Sequence, residues 1–324
     1  MCCKLTKHDL KYFPFVSVII PTYNEETYLQ LCLISLQKMN YPKNKLEIIV
    51  VDNGSTDKTS EIARKYNTNL ILFPEGRTIS SVRNIGAKKA QGSVLAFLDA
   101  DCIVTPDWLY HAVNLLNDSI GVVGSRPVAP EEDATWVQKA RTAVLVKESN
   151  VITSWLSSAN FIILKQLFEK VGGFDEKLET SEDADLSFRL NEITTILYSP
   201  DVKAYHLREP KNLLDFFKKE LWHGKSVYEG AARHGYKKAE FLSIFVPIIF
   251  LTNMISCILF LLVGFYKLGV ISLAIFFIIP LSVTTRTIIT KRIYIMSLHH
   301  FIIDMTYLVA RSLSILYFFS PKKR

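Results

Sequence analysis

Cysteine is scarce in this chain, and the glycine pattern of a dinucleotide site is missing. Five cysteines stand among 324 residues, an odd number without metal-ligand spacing. Reduced thiols are therefore expected, and not a disulfide framework. In a dinucleotide-dependent oxidoreductase a Gly-x-Gly-x-x-Gly turn follows the first strand, but Pro21-Thr22-Tyr23 occupies that place. The sequence thus excludes that class of enzyme.

Secretory and nucleic-acid-binding signals are missing too. Charged or titratable residues interrupt every apolar stretch before Val16; they are Lys4, Lys7, His8, Asp9 and Lys11. A secretory signal needs an uninterrupted apolar segment, so we expect the N-terminal part of the chain to stay in the cytosol. No nucleic-acid motif accompanies the formal net charge of +7, which instead suits an anionic lipid surface.

Charge is absent from one long apolar run near the C-terminus. The run is Phe241 to Phe265, and Leu268 to Thr285 forms a second. A helix of about 20 apolar residues crosses a bilayer, so the two runs predict a membrane hairpin. Basic residues flank the pair on both sides: Arg233, Lys237, Lys238, Arg286, Lys291 and Arg292. By the positive-inside rule, the N-terminal domain lies on the cytoplasmic side.

Two neighbouring segments are less apolar. His300 to Phe319 carries Asp304 and Arg311, and a third crossing would place the basic chain end outside. An interfacial or re-entrant helix is therefore predicted there. Lys211 to His223 mixes basic and apolar residues, a pattern typical either of a helix in the membrane interface or of an amphipathic core helix. Both interpretations stay open.

Short runs rich in Val and Ile alternate with amphipathic stretches in the first part of the chain. The predicted strands are residues 16–20, 46–51, 70–73 and 94–98. The predicted helices are residues 26–37, 56–66, 80–89 and 106–117. This alternation predicts an α/β fold with a mostly parallel sheet flanked by helices. The charged stretch Glu131-Glu132-Asp133 and the residues up to Asn150 are predicted to form a surface excursion.

Asp99-Ala100-Asp101 is the most informative polar cluster. It directly follows the predicted strand Val94 to Leu98, at the edge where open α/β sheets bind their ligands. Mg²⁺ and Mn²⁺ are usually held by one or two carboxylates together with substrate phosphates. We expect the chain to turn here, so that one aspartate reaches a ribose and the other a metal ion on a diphosphate. The cluster predicts chemistry on a nucleotide.

Three further polar clusters fall at the same predicted sheet edge. Tyr23 and Glu25 follow the first strand and offer a ring and polar groups to a nucleotide base. Asp52 ends the second strand and can accept from a base N–H or a ribose hydroxyl. Glu182 and Asp183 begin an amphipathic helix, where acidic residues are favoured by the helix dipole alone. A carboxylate near the metal would also serve as a general base.

Six elements in this order resemble the family 2 glycosyltransferases with the GT-A fold, of the membrane-anchored bacterial type. The elements are Val-Ser-Val-Ile-Ile-Pro-Thr-Tyr-Asn-Glu, Val-Asp-Asn-Gly-Ser-Thr-Asp, Arg83-Asn84-Ile85-Gly86-Ala87, Phe97-Leu98-Asp99-Ala100-Asp101, Gly172-Gly173-Phe174-Asp175 and Ser181-Glu182-Asp183-Ala184-Asp185. The resemblance covers about Val16 to His206, and six ordered elements are far more specific than any single motif.

The resemblance implies a binding site for a nucleotide-sugar donor. Pro21, Tyr23 and Asp52 resemble the positions that bind the base of the donor, and Glu25 lies beside them. Asp99 resembles the aspartate on the ribose side.

The resemblance also implies a metal site and a base. Asp101 is similar to the aspartate that holds a divalent metal, Mg²⁺ or Mn²⁺, on the diphosphate, and His206 to a histidine that completes the metal shell. Asp183 matches the catalytic base, with Glu182 beside it. Arg83 either faces the diphosphate or has a structural role on its helix.

One departure from the family bears on the product. Processive members such as cellulose and hyaluronan synthases carry Gln-x-x-Arg-Trp on an interfacial helix, whereas Lys218-Lys219-Glu220-Leu221-Trp222 keeps only the tryptophan. We therefore expect inverting transfer of one sugar, from a UDP-sugar, to a lipid-linked or saccharide acceptor at the cytoplasmic membrane face, in cell-surface glycan biosynthesis. Ser157, Ser158 and Asn160 are candidates for the acceptor side, and a polar strand start explains them equally well.

Two alternatives remain open. A polyprenyl-phosphate glycosyltransferase would share the fold and the spans but attack with a phosphate oxygen. A non-catalytic membrane scaffold would merely retain a nucleotide-binding domain. In either case the expected domains are a lead at 1–15, a catalytic domain at 16–210, amphipathic interfacial helices at 211–238, and a membrane region of two or three helices at 239–324.

Overall fold

A computed structural model of the protein describes residues 13–234 and 238–318. Most of the predicted lead before residue 16, the flanking charge at Lys237 and the basic chain end lie outside the described residues. Cys32, Cys102 and Cys257 are buried as free thiols.

Strands and helices alternate through the first part of the chain. The strands are β1 Val16–Thr22, β2 Leu46–Asp52, β3 Asn69–Leu72, β4 Val94–Leu98, β5 Cys102–Val104, β6 Ile120–Gly124, β7 Val151–Ile152, β8 Asn160–Leu164, β9 Thr195–Tyr198 and β10 Ala204–His206. The helices among them are α1 Leu29–Gln37, α2 Thr59–Lys65, α3 Ile79–Lys89, α4 Trp108–Leu115, α5 Trp136–Leu145, α6 Lys165–Lys170 and α7 Glu182–Asn191. The later helices are α8 Leu213–His234, α9 Lys238–Leu262, α10 Tyr266–Lys291 and α11 Ser297–Phe318.

Among the described residues, eight strands form one sheet in the order β3-β2-β1-β4-β8-β6-β9-β7, and β10 pairs with β5. The strands β3, β2, β1 and β4 are parallel, as are β6 and β9. Strand β8 runs antiparallel to both β4 and β6, and β7 runs antiparallel to β9. The predicted α/β fold is confirmed, and the reversed strands make its sheet mixed.

Both faces of the sheet are covered by helices. Strand β1 is buried along its whole length, as expected for a strand covered on both faces. On one face Leu33 of α1 packs with Trp108 of α4, and on the other Val82 of α3 packs with Leu186 of α7. Gly86 lets α3 approach closely, because a Cβ there would lie 2.6 Å from Cγ2 of Ile19. The closely packed α3 brings Arg83 to the ligand-binding edge.

The described chain divides into two compact units. One comprises the described parts of Met1–Val128 with Val146–Arg208, and the other those of Ala129–Leu145 with Glu209–Arg324. Helix α5 therefore belongs with the C-terminal helices. Its Val137 and Ala140 pack with Phe216 of α8 and Ile303 of α11 in a separate apolar cluster. The prediction of a surface excursion is wrong for this helix, because its apolar face is buried.

The second unit buries charges, and they are paired. The Arg141 guanidinium lies 3.7 Å from a Glu209 carboxylate oxygen and 3.5 Å from one of Glu220. Arg311 of α11 also pairs with Glu220, at 2.9 Å. Because a buried charge is costly unless it has a partner, these pairs hold α5, α8 and α11 in one arrangement.

Two helices of the second unit are long and apolar enough to cross a membrane, within the described residues. They are Ile244–Leu262, which is part of α9, and Tyr266–Lys291, which is α10. Helix α8 buries Phe216 and Glu220 on one face and exposes Leu214 and Trp222 on the other. It thus has both the packed face of a core helix and an exposed face with large apolar side chains.

Candidate active site

The parallel strands β1, β2 and β4 bring three of the predicted clusters to one sheet edge. Because β1 lies between β2 and β4, the segments that follow all three leave the sheet at their carboxyl ends. Pro21 is buried within β1, whereas Tyr23 just after it is 59% exposed. The ring is thus open to a stacking partner.

Asp52 is buried and hydrogen-bonded at the end of β2. Its Oδ1 accepts from the backbone N–H and the hydroxyl of Ser55, at 2.9 and 2.6 Å, and its Oδ2 accepts from the Ser60 hydroxyl. Carboxylate oxygens have further lone pairs, so these bonds do not exhaust the acceptor capacity of Asp52. They also order the loop that leads into α2.

The chain turns at Asp99-Ala100-Asp101, as expected. The N–H of Cys102 donates to the carbonyl of Asp99 at 3.0 Å, and β5 begins directly afterwards. Strand β5 pairs with β10 in a register that sets His206 opposite Cys102. The pairing brings Nε2 of His206 to 3.6 Å from Oδ1 of Asp101. Two residues that are far apart in sequence thus converge through one antiparallel pair.

Asp101 and His206 are two side chains that could hold a divalent cation, whereas the described residues contain no cluster of three or more His, Cys, Asp or Glu side chains placed to do so. An imidazole nitrogen and a carboxylate oxygen are ligands that Mn²⁺ accepts, and the remaining positions suit substrate phosphates. Burial raises the pKa of Asp101, Asp99 adds to the rise, and His206 and Arg208 oppose it. The Nδ1 atom of His206 is buried without a hydrogen-bond partner among the described residues.

Arg208 is a member of this cluster that the sequence reasoning missed. Its guanidinium donates to both carboxylate oxygens of Glu25, at 2.9 and 2.7 Å, and lies 3.8 Å from Oδ2 of Asp101. It also covers the ring of Tyr28 at 4.8 Å. Burial raises the pKa of Glu25 to about 7, and Asp101 and Asp99 add to the rise although Arg208 opposes it. The one feature of the sequence that could have indicated Arg208 is that a basic residue stands two positions after the predicted ligand His206.

Arg83 links the Asp99 turn to the start of α7. One terminal nitrogen donates to Oδ1 of Asp99 and the other to Oε1 of Glu182, both at 2.8 Å. Only 3% of Arg83 is exposed. The sequence left open whether Arg83 faces the diphosphate or has a structural role. Its contacts within the protein are those of a structural link.

Asp183, the predicted base, stands next to this link. Its Oδ2 accepts from the backbone N–H of Ser158 at 3.4 Å, and the Ser158 hydroxyl donates to Glu182 at 3.2 Å. Burial raises the pKa of Asp183 to about 7, Glu182 adds to the rise, and Arg83 opposes it. A carboxylate with a pKa near neutrality is well matched to accepting a proton from a hydroxyl.

Of the two interpretations left open for Asn160, its contacts fit the structural one. It is fully buried, and its side chain accepts from the Trp108 indole and donates to the Ser125 hydroxyl and the Val202 carbonyl. The polarity of the residue therefore serves the core.

The site consists of two aspartates in a turn at the carboxyl edge of a mixed sheet, a histidine beside them and a partly buried carboxylate nearby. This is the arrangement of a GT-A nucleotide-sugar transferase. The sequence matches two protein families. One is described as "Glycosyl transferase family 2" and matches residues 17–175, and the other as "Glycosyltransferase like family 2" and matches residues 125–235. The protein belongs to glycosyltransferase family 2.

Relatives and a solved structure agree with this family. The glycosyltransferase AglE of Haloferax volcanii is 32% identical over 222 residues, which are 65% of this chain and 72% of AglE. A glycosyltransferase of Rickettsia prowazekii is 30% identical over 59% of this chain and 63% of its own length. The mannosyltransferase PcManGT of Pyrobaculum calidifontis, solved with GDP-Man and Mn²⁺, shares the fold with a TM-score of 0.66 at 20% identity, over 96% of this chain and 89% of its own.

Proposed function

We propose that this glycosyltransferase moves one sugar, with inversion, from a UDP-sugar to the hydroxyl of a lipid-linked or saccharide acceptor at the cytoplasmic membrane face. The observation that carries the proposal is the ion-paired chain Asp99–Arg83–Glu182. It joins the turn that would bind the donor to the residue that precedes Asp183. A donor held at Asp99 and a base at Asp183 would then belong to one site.

Each residue has a defined part in the proposed reaction. Asp183 takes the proton of the acceptor hydroxyl while the oxygen forms a bond to the anomeric carbon and the bond to the nucleoside diphosphate breaks. A single displacement of this kind inverts the anomeric centre. Asp101 and His206 would hold a divalent ion, which would supply positive charge against the diphosphate when bound. The structure of PcManGT with GDP-Man and Mn²⁺ supports this pairing of donor and metal.

The membrane location rests on the second unit. The helices α9 and α10 are long and apolar enough to span a bilayer, and basic residues flank the pair. The exposed Leu214 and Trp222 of α8 suit a membrane interface, where aromatic side chains with lysines beside them are favoured. These features support an acceptor held in the membrane, in cell-surface glycan or polysaccharide biosynthesis.

The pKa of Asp183 favours a hydroxyl acceptor over a polyprenyl phosphate. A phosphate oxygen is already ionised at neutral pH and needs little help from a base. The carboxyl of Asp183, with a pKa of about 7, is matched to proton removal from a hydroxyl. We therefore retain the polyprenyl-phosphate transferase only as the second outcome of the assay below.

The test is a transfer assay on the full chain in detergent. UDP-, GDP- and dTDP-sugars are offered with Mn²⁺, Mg²⁺ or EDTA, together with a membrane lipid extract. We expect turnover of one donor, loss of turnover in EDTA, and loss of transfer but not of donor binding in Asp183→Asn. Glu192→Gln, at the exposed far end of α7, is the matched control and should be fully active.

The other outcomes are equally informative. Transfer to a polyprenyl phosphate that persists in Asp183→Asn would favour the second candidate. Undiminished sugar transfer to a hydroxyl by Asp183→Asn would show that the base assignment is wrong. Turnover of no donor, with no metal-dependent nucleotide binding, would overturn the proposal.

A further inference from the structure

The terminal nitrogens of Arg83 are already used within the protein, unlike those of an arginine that is free to bind a substrate. Each terminal nitrogen already bonds a carboxylate, one on Asp99 and one on Glu182. The guanidinium also lies 5.6 Å from the centre of the Phe174 ring. Arginine forms its strongest contacts through such charge-assisted bonds in a planar fork. A donor diphosphate would have to displace one of these two carboxylates to bind it.

The next residue makes an equally specific connection. The side chain of Asn84 accepts from the N–H of Phe174 at 3.0 Å and donates to the Phe174 carbonyl at 2.9 Å. It also donates to Glu176 at 2.9 Å. Arg83 and Asn84 thus connect helix α3 to the Asp99 turn, to the loop around Phe174 and to the start of α7.

The start of α7 depends on contacts from outside the helix. Ser181 precedes the helix in the left-handed conformation, with φ of 62°, and its side chain does not cap the helix. The bonds from Arg83 and Ser158 to Glu182 reach the first residue of α7. These bonds fix the backbone at Glu182. Because Asp183 is the next residue, they also limit where its carboxylate can lie.

We infer that Arg83 is a positioning residue that holds Glu182, and with it Asp183, at a fixed place relative to Asp99, and that it is not a ligand of the donor diphosphate. The inference rests on the proposed role of Asp183 as the base. It assigns a purpose to Glu182 as well: the carboxylate gives Arg83 a point of attachment on α7.

The test separates positioning from donor binding in the full chain. The variants are Arg83→Met, Arg83→Lys and Glu182→Gln. Glu192→Gln, at the exposed end of the same helix, is the control. The measurements are kcat between pH 5.5 and 9, and the Kd of UDP and of GDP with Mn²⁺.

We expect kcat to fall about 100-fold in Arg83→Met, because a misplaced base costs about that much. In Glu182→Gln, which leaves the Arg83–Asp99 pair in place, the Kd of the nucleoside diphosphate should stay within about threefold, since only a step after binding is affected. The acidic limb of the kcat profile should move to higher pH, because Arg83 no longer opposes the raised pKa of Asp183. The control should match the parent. A Kd raised about tenfold or more with kcat spared would overturn the inference.

Two further measurements keep the test decisive. If Arg83→Met does not fold, Arg83→Lys and Glu182→Gln should each lower kcat, in Glu182→Gln with Kd unchanged, and their double variant should lose little beyond the worse single one. Fully additive losses would contradict a shared role. A double-variant cycle on thermal unfolding detects the Arg83–Glu182 link without any assay of transfer. That link would persist if Asp183 proved not to be the base, so failure of the proposed function and failure of this inference are distinguishable.

Discussion

The carboxylates of this site differ in how they are neutralised. Glu182 and Asp99 share the Arg83 guanidinium, and Glu25 pairs with Arg208. Asp183 instead accepts from backbone N–H groups, those of Ser158 and Ala184. An ion pair favours the ionised form of a carboxylate, whereas burial favours the neutral form. Burial is the larger effect at Asp183 and raises its pKa, and two predictions depend on that rise.

The first concerns the pH dependence of transfer. The base works only when it is ionised, and the pKa of Asp183 is about 7. We expect kcat to fall about tenfold for each pH unit below 7 and to level off above about 8. The measurement is kcat at saturating donor and acceptor in buffers from pH 5.5 to 9. A flat profile across pH 6 to 8 would contradict the assignment.

The second concerns stability. The folded-state pKa of Asp183 lies above its usual value of 3.8, so the folded protein keeps a proton that the unfolded chain releases. Stability contributed by this group is then lost as pH rises from about 4 to about 7. Asp183→Asn removes the loss, and its Tm should exceed that of the parent by about 2 °C or more at pH 8 but not at pH 4. Glu192→Gln should show no such difference in Tm. An equal shift of Tm in that control would contradict the explanation.

Single residues are predictable where a motif contains them and not where packing selects them. Asp99, Asp101 and Asp183 stand in recognisable sequence patterns. Arg208 stands in none, because its bonds to Glu25 span 183 positions of the chain. The sequence could not decide the role of Asn160, since a polar residue at a strand end looks the same in sequence whether it meets a ligand or the Trp108 indole.

At the scale of elements, the position of α3 against the sheet sets the position of Arg83. Gly86 faces β1 and β2: a Cβ there would lie 2.6 Å from Cγ2 of Ile19 and 3.1 Å from Cγ2 of Val51. Contacts that short force the helix or the side chains to move. Gly86 therefore matters to the site although it contacts none of the predicted ligands.

Gly86→Ala should destabilise the protein by about 1–3 kcal/mol through overpacking. Displacement of α3 should also lower kcat, because Arg83 moves with the helix. The measurements are thermal unfolding in detergent and the transfer assay. Lys88→Ala, on the exposed side of the same helix, is the control and should change neither. An unaltered Tm in Gly86→Ala would show that the helix tolerates the methyl group.

The elements themselves are largely predictable. The four apolar runs that are predicted as strands form β1 to β4, because period and β-branched composition are local properties. The direction of β8 is not predictable in this way, since a strand of the same composition pairs parallel or antiparallel according to where the preceding chain leaves it. Helix α5 lies in the predicted surface excursion, yet it buries Val137 and Ala140 against helices that come much later in the chain.

At the scale of the whole molecule, a segment from the middle of the chain is part of the C-terminal unit. Ala129–Leu145 packs with residues that follow Glu209, and Arg141 is paired with Glu209 and Glu220. Breaking a buried ion pair leaves an uncompensated charge at a cost of about 3–5 kcal/mol. A cut after residue 210 would thus affect a segment far upstream.

A chain truncated after residue 210 should expose residues 129–145, because α5 loses Phe216, Ile303 and the carboxylate of Glu220. We expect limited proteolysis to cleave within 129–145 in the truncated chain and not in the full chain in detergent, with aggregation of the truncated form on gel filtration. Equal protection of the segment in both forms would show that α5 is held without the C-terminal helices.

The sequence alone determined the strands β1 to β4 and the helices among them, the acidic turn at the end of β4 and the apolar runs of α9 and α10, because these depend on neighbours a few residues apart. Only the tertiary structure decided the burial of α5 and two sets of bonds, those from Arg83 to Asp99 and Glu182 and those from Arg208 to Glu25. These bonds join positions 16 to 183 residues apart. Their partners are selected by packing and by the cost of an unpaired buried charge, neither of which a local pattern records.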